Sequence, residues 1–135
     1  MDNFSRNILK QQVKSYLNSL EDKSLSCILA LFAKDAWIHS PLAGMIKPEP
    51  FYHHLFDVSK GGGIKVRDIA VSECGNPCVY ARFIYEWCLD DGRKSVLDCV
   101  DVFTFDEHGK IKTLEIIYDT YETRMIVGDV LTLKE

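Results

Sequence analysis

Long hydrophobic runs are missing from this chain. No apolar stretch approaches the roughly 20 residues that cross a bilayer, so a membrane helix is excluded. Basic clusters are missing too: no run of Lys or Arg exceeds two residues and the formal net charge is −4, which removes the electrostatic footprint of a nucleic-acid binder. The start, Met1-Asp2-Asn3-Phe4-Ser5-Arg6, has no basic segment leading into an apolar core, so it does not read as a secretory signal and a cytoplasmic location is expected. Prolines number only 4 and glycines 8, too few for a collagen-like or low-complexity chain. The 5 cysteines are odd in number and form no C-x-x-C; Cys74 and Cys78 are close, but no second ligand pair follows, so all five read as reduced thiols. Four scattered histidines without an H-x-x-x-H spacing give no metal site, and no cofactor is implied. Gly61-Gly62-Gly63 lacks the Gly-Lys-Ser/Thr ending of a phosphate loop and reads as an ordinary loop.

What is present is an average globular composition, 47% hydrophobic and 27% charged over 135 residues. That length fits one domain over 1–135, able to bury roughly 68–70% of its unfolded surface. The first half has a helical period. Leu9, Val13, Tyr16, Leu17 and Leu20 share one face, opposite Lys10, Gln11, Lys14 and Asn18. A shorter helix follows Asp22-Lys23-Ser24, capped by Asp22 or Ser24, with Leu25, Ile28, Leu29 and Phe32 inward. Ala36–Ser40 is then a strand stopped by Pro41. A third helix is expected over about residues 49–59, with Phe51, His54, Leu55 and Val58 on one arc, His53 and Asp57 on the other, and the glycine run as its end.

The second half alternates. Residues 64–74, 78–89, 94–105 and 110–121 are rich in β-formers and are divided by Gly75-Asn76-Pro77, Asp90-Asp91-Gly92 and Asp106–Gly109. Helices followed by an antiparallel meander indicate an α+β fold. In strand 94–105, Val96, Val100 and Val102 face one side and Leu97, Cys99, Phe103 and Phe105 the other. A sheet apolar on both faces needs a second cover, so a homodimer through the outer face is expected.

This order, with the segments Ser24–Ala36 (Leu-Phe-Ala-Lys-Asp-Ala at its end) and Val100–Ile111, resembles the nuclear transport factor 2-like superfamily, in its SnoaL-like and ketosteroid isomerase-like branch. The resemblance implies a cone in which three N-terminal helices pack on a curved, mostly antiparallel sheet around an apolar pocket for a small apolar organic ligand. In the isomerases the pocket holds a tyrosine from the first helix, a general-base aspartate after the first strand and a protonated aspartate on the penultimate strand. Tyr16 matches the tyrosine and Asp101 the protonated acid, but the base position falls on Ser40. The implied walls are Phe51 and Leu55 from the third helix, with Phe83, Tyr85, Cys99, Phe103, Leu114 and Tyr118 from the sheet. Isomerase, cyclase or lyase chemistry next to a carbonyl is implied, beside a non-catalytic ligand-binding or scaffold role that the same fold also hosts.

Each candidate has a plain alternative. Tyr16 also serves as a core tyrosine whose hydroxyl finds one acceptor. Asp101 pairs with Arg82 if a two-residue turn at Asp91-Gly92 sets them opposite; a three-residue turn puts Ala81 there and leaves the acid in an apolar wall. His54, on the apolar arc, is the histidine able to replace the missing base. His39 alternates away from Ser40, while His53 and His108 read as solvated. Asp119 reads as an exposed strand end.

Overall fold

Asp2 starts the first helix: its carboxylate accepts a hydrogen bond from the Ser5 N–H at 2.7 Å, satisfying an amide that the helix itself leaves open. A computed structural model describes residues 2–128 of the chain; Met1 and residues 129–135, within the expected domain span, lie outside the described residues. Helix α1 (Asn3–Glu21) buries Leu9, Val13, Tyr16, Leu17 and Leu20, the face that its period marks out. Helix α2 (Leu25–Leu29) is a single turn. Ser24 occupies its N-cap without a side-chain hydrogen bond. The expected continuation through Phe32 is corrected, because the backbone there is drawn into the sheet. Ile111 N–H donates to the Leu31 carbonyl at 2.8 Å and Phe32 pairs with Ile111. Strand β1 (Phe32–Ser40) therefore begins four residues early, turns at Pro41 and pairs with β2 (Gly44–Ile46), a short strand that sequence reasoning passed over.

Helix α3 (Pro48–Val58) takes its first proline where the helix needs no N–H donor. It buries Pro48, Phe51, Tyr52, Leu55 and Phe56, so its inward face is turned by about one residue from the expected arc. The glycine run is not a loop. It lies inside β3 (Ser59–Val71), where Gly61, Gly62 and Gly63 pair with Cys88, Trp87 and Glu86. A Cβ on Gly62 would stand 2.1 Å from the Glu86 carbonyl oxygen, so the absence of a side chain lets two backbones approach.

Strands β4 (Cys78–Leu89), β5 (Lys94–Phe105) and β6 (Ile111–Ile117) complete a six-stranded sheet in the order β2-β1-β6-β5-β4-β3. Every pair is antiparallel except β1 with β6. The curved sheet carries the helices on its inner face, an α+β architecture. The last strand ends at Ile117 rather than Tyr121. Exposed Asp119 accepts the Tyr121 N–H at 3.0 Å, and Tyr121 opens a fourth helix, α4 (Tyr121–Val127), that the β-rich sequence concealed.

Burial on β5 alternates strictly, with Ser95, Leu97, Cys99, Asp101, Phe103 and Phe105 inward. The outer face is less apolar than expected. Beside Val96, Val100 and Val102 it carries Asp98, held by Arg82 in a two-pronged ion pair at 2.8 and 3.2 Å. No helix among the described residues is long and apolar enough to cross a membrane.

Candidate functional site

Between α1, α3 and the inner face of the sheet lies an apolar cavity. Its volume is about 50 Å³. Helix α1 supplies Tyr16 and Leu20; α3 supplies Phe51, Tyr52 and Leu55. Ser40 enters from the end of β1, Phe83, Tyr85 and Trp87 from β4, and Leu97, Cys99 and Asp101 from β5. Ile116 and Tyr118 close the remaining side.

Strand register decides the surroundings of Asp101. Leu89 N–H donates to the Arg93 carbonyl at 2.8 Å across the three residues Asp90-Asp91-Gly92, with Gly92 at φ +93°. That turn sets Ala81 opposite Asp101 on one side, and Ile116 stands opposite on the other. The salt-bridge alternative is thereby removed, since Arg82 points to the other face. Asp101 is 1% exposed and its Oδ1 has no hydrogen-bond partner. Burial alone pushes its carboxyl well above the ordinary carboxylate range, because the charged form would lose its hydration without gaining a counter-charge.

Beside it, the Tyr16 and Tyr52 hydroxyls share a buried hydrogen bond of 2.5 Å. Burial raises both phenols well above their usual range, and for Tyr16 the neighbouring Tyr52 and Asp101 add to the rise. For Tyr52 the bond to Tyr16 pulls the other way while Asp101 and Tyr85 push up. Burial likewise raises the Cys99 thiol, followed by the effect of Asp101, so it is no ready nucleophile. Burial thus favours the neutral form of the carboxyl, both phenols and the thiol in this apolar enclosure.

Six of the eight expected wall residues, Phe51, Leu55, Phe83, Tyr85, Cys99 and Tyr118, line the cavity. Phe103 and Leu114 do not. Phe103 packs behind the Tyr16 ring at 5.0 Å between centroids, and Leu114 is fully buried core. Tyr16, Ser40 and Asp101 come together, but His54 is half-buried outside the lining, a consequence of the turned face of α3. The Ser40 hydroxyl accepts the Leu42 and Ala43 N–H groups at 3.2 and 3.1 Å, so it closes the β1–β2 turn. His39, His53 and His108 stand near Glu115, Asp57 and Glu107 at the surface.

Sequence reasoning missed Tyr52 and Trp87. The doublets Phe51-Tyr52 and Leu55-Phe56 at i and i+4 carried the signal for Tyr52. Simple alternation from Phe83 and Tyr85 carried it for Trp87.

No protein-family model matches the chain. A steroid delta-isomerase of Nocardioides simplex is 25% identical over 112 residues, covering 82% of this chain and 89% of that protein. Solved structures share the fold at lower identity. An NTF2-like protein of unknown function from Burkholderia pseudomallei superposes with TM-score 0.77 at 19% identity, over 90% of this chain and 98% of that one. SalBIII, an epoxide hydrolase/cyclase-like enzyme of pyran ring formation in salinomycin, gives 0.73 at 16%, over 84% and 92%. TerC co-crystallised with polyporic acid gives 0.74 at 19%, over 88% and 97%. The chain thus has the helix-on-curved-sheet fold of the nuclear transport factor 2-like proteins, and along most of its length its sequence is similar to a steroid delta-isomerase, which supports the SnoaL-like and ketosteroid isomerase-like branch.

Proposed function

We propose that the cavity binds a small apolar organic molecule through a carbonyl or enolate oxygen and that the protein acts on it as an isomerase or cyclase. The observation that carries this reading is Asp101, a buried carboxyl whose Oδ1 has no partner in an otherwise apolar wall. A protonated acid there is a hydrogen-bond donor. Either hydroxyl can donate in the Tyr16–Tyr52 bond, and in the orientation where Tyr52 donates, the Tyr16 proton is left for the same ligand atom. Two fixed neutral donors in a water-poor site stabilise negative charge as it develops on oxygen, and the site needs no reorganisation at the moment of reaction.

Ser40 limits the chemistry. An unactivated serine does not shuttle a proton between two carbons at neutral pH. The substrate class is therefore one whose reacting proton is already labile, an enol, phenol or hydroxyl, rather than an unactivated carbon acid. The names of the Nocardioides simplex isomerase and of the cyclase-like SalBIII lend support to both reaction types. Ser40 also favours a second reading, a non-catalytic ligand-binding or scaffold domain, because its hydroxyl is engaged in a turn.

The proposal includes a homodimer through the outer sheet face. Its support is Tyr80, Val96 and Ile117, which stay exposed beside Val102 and Val100. A cytoplasmic setting suits the five free thiols.

Titration with 2-naphthol tests the site. Wild type is expected to bind it, and Tyr16→Phe and Asp101→Asn are each expected to weaken binding about 3- to 10-fold. Equal affinity in all three proteins, or none, would overturn the reading. Native mass spectrometry of the freshly purified protein then separates catalyst from binder. It identifies a co-purified ligand by mass; incubation of that compound with the protein followed by chromatography that resolves isomers then supports isomerase or cyclase action if a new isomer forms, and binding alone if none does.

A further inference from the structure

The cavity is shut more tightly than an organic ligand allows. Its volume is about 50 Å³, against about 150 Å³ for an apolar protein cavity that takes up benzene. A ring enters only if a wall gives way. Packed interiors are barely compressible, so the wall that gives is one that faces solvent. Every lining residue is buried except Ile116 and Tyr118, which are half-buried. The mouth therefore lies where β6 ends.

Strand β6 stops at Ile117, and Tyr118-Asp119-Thr120 joins it to α4 without helix or strand. The helix is then seated across that end of the cavity. Thr123 shares a buried hydrogen bond of 2.9 Å with Ser95. Ser95 is paired with Trp87 and stands two residues from Leu97, both of them cavity walls. The Arg124 guanidinium donates to the Pro41 carbonyl at 2.6 Å, in the turn just beyond Ser40. From the other side, Arg93 donates to the Ile126 carbonyl at 3.0 Å. Helix α4 is thus tied at three points around the mouth.

Those ties are polar, and little apolar surface backs them. Of α4 only Thr123 and Val127 are buried, while Tyr121, Met125 and Ile126 are exposed. The bonds of Arg124 and Arg93 lie at the surface, where water replaces them at small net cost. Segments with few buried apolar side chains and solvent-exposed hydrogen bonds are the ones that open locally while the core stays folded.

We propose that Tyr118 and α4 form a hinged cover over the cavity, with Tyr118–Thr120 as the hinge and the Arg124–Pro41 bond as the latch, and that ligand enters when the cover swings out. This rests on the cavity being the ligand site and adds the route by which it is reached.

Cys99 reports opening without any ligand. It is 3% exposed and lines the cavity, so iodoacetamide reaches it only through an opened wall. Peptide mass spectrometry of the full chain follows its alkylation apart from that of the other cysteines. In wild type the rate is expected to be nearly flat across low urea concentrations, since local opening exposes little surface, whereas global unfolding follows the full denaturation slope. Arg124→Ala is expected to be alkylated about 10-fold faster with the flat slope kept. Arg6→Ala, which breaks a guanidinium–carbonyl contact with Ser72 at the start of α1, is expected to leave the rate unchanged. A disulfide between Ser95→Cys and Thr123→Cys, placed where the two hydroxyls meet, pins α4 to the sheet. Its oxidised form is expected to be alkylated at Cys99 only through global unfolding, and its reduced form at the wild-type rate.

A full urea slope in wild type, or no alkylation short of unfolding, would overturn the cover. An Arg124→Ala rate no faster than that of Arg6→Ala would overturn the latch. An oxidised pair alkylated as fast as the reduced one would overturn α4 as the moving part. Should the disulfide not close, the urea slope and Arg124→Ala decide. Since no ligand is used, failure of 2-naphthol to bind would end the oxyanion reading and leave the cover standing, and a failed cover would leave the titration to judge the oxyanion site.

Discussion

Ala81 stands directly opposite Asp101, and that single register separates two chemistries. One residue further along, Arg82 leaves through the other face to hold Asp98. Had the turn been one residue shorter, a guanidinium would have met the buried carboxyl and held it charged. As built, nothing compensates a charge on Asp101, and the folded protein holds its proton far above the ordinary range.

The pH dependence follows in sign. The unfolded carboxyl titrates near 3.9, and the folded one is raised above that. The resulting contribution to stability is complete below the unfolded value and is lost as pH rises toward the folded one. Asp101→Asn has no such proton to lose, so it is expected to gain on wild type as pH rises. Thermal melts at about pH 5 and about pH 8 check this. A variant deficit that grows at the higher pH would sink the neutral-acid account.

Tyr16 and Tyr52 satisfy each other in a fully buried setting. Tyr16→Phe or Tyr52→Phe leaves one hydroxyl without its partner and is expected to cost about 1–3 kcal/mol. The double variant, which removes both hydroxyls, is expected to lose less than the two single losses combined. A urea double-mutant cycle measures the difference. Strict additivity would mean that the pair is not coupled.

How much of this was legible varied with the kind of signal. The inner face of α1 is unambiguous because its apolar residues keep one helical period from Leu9 to Leu20. On α3 two apolar stripes compete, one through His54 and Val58 and one through Tyr52 and Phe56. Only packing against the sheet chooses the second, which is why Tyr52 was missed. Glycine carries the same letter for a turn and for a close backbone approach, so residues 61–63 read as a break where a strand runs on. The Tyr-Glu-Thr-Arg-Met-Ile-Val of α4 is rich in β-formers and gave no helical warning. The cavity acid itself was visible as a lone carboxylate alternating with Cys99 and Phe103. That it has no counter-charge was not, because register depends on a single turn residue.

Gly62 and Gly63 are neighbours with opposite tolerances. A Cβ on Gly62 meets backbone, the Glu86 carbonyl oxygen at 2.1 Å, whereas one on Gly63 meets only the flexible Glu86 carboxylate at 3.7 Å. Gly62→Ala is expected to destabilise by about 1–3 kcal/mol, and Gly63→Ala by clearly less. Chemical denaturation of the two variants side by side checks this. Equal losses would show that β3 shifts freely against β4.

The outer sheet face offers a test of assembly. Val96 is 62% exposed and Ile117 47%, an apolar surface that a second copy would cover. Wild type is expected to scatter light as a dimer at micromolar concentration, and Val96→Asp is expected to shift it to monomer. A monomeric wild type would argue that this face stays open to water.

Ser40 gives the sharpest test of the chemistry. Its oxygen already accepts two backbone N–H groups from Leu42 and Ala43. An aspartate at the same position can keep both bonds, since Asp closes such turns as readily as serine. Two backbone donors favour the charged carboxylate, so Ser40→Asp would place an ionised base on the cavity wall facing the Tyr16 and Asp101 donors. Wild type is expected to show no more than a trace of steroid double-bond isomerisation, followed by the absorbance of the conjugated ketone. Ser40→Asp is expected to raise that trace by about 100-fold, the usual contribution of a positioned general base. The companion Ser40→Ala, which loses the turn but adds no base, is expected to lose stability and gain no activity. Wild-type turnover in the ordinary range of about 1–1,000 per second would mean that another residue already abstracts the proton. A flat response to Ser40→Asp, in a variant that folds, would mean that the donors at Tyr16 and Asp101 do not meet the steroid oxygen, and that the ligand of this cavity is of a different shape.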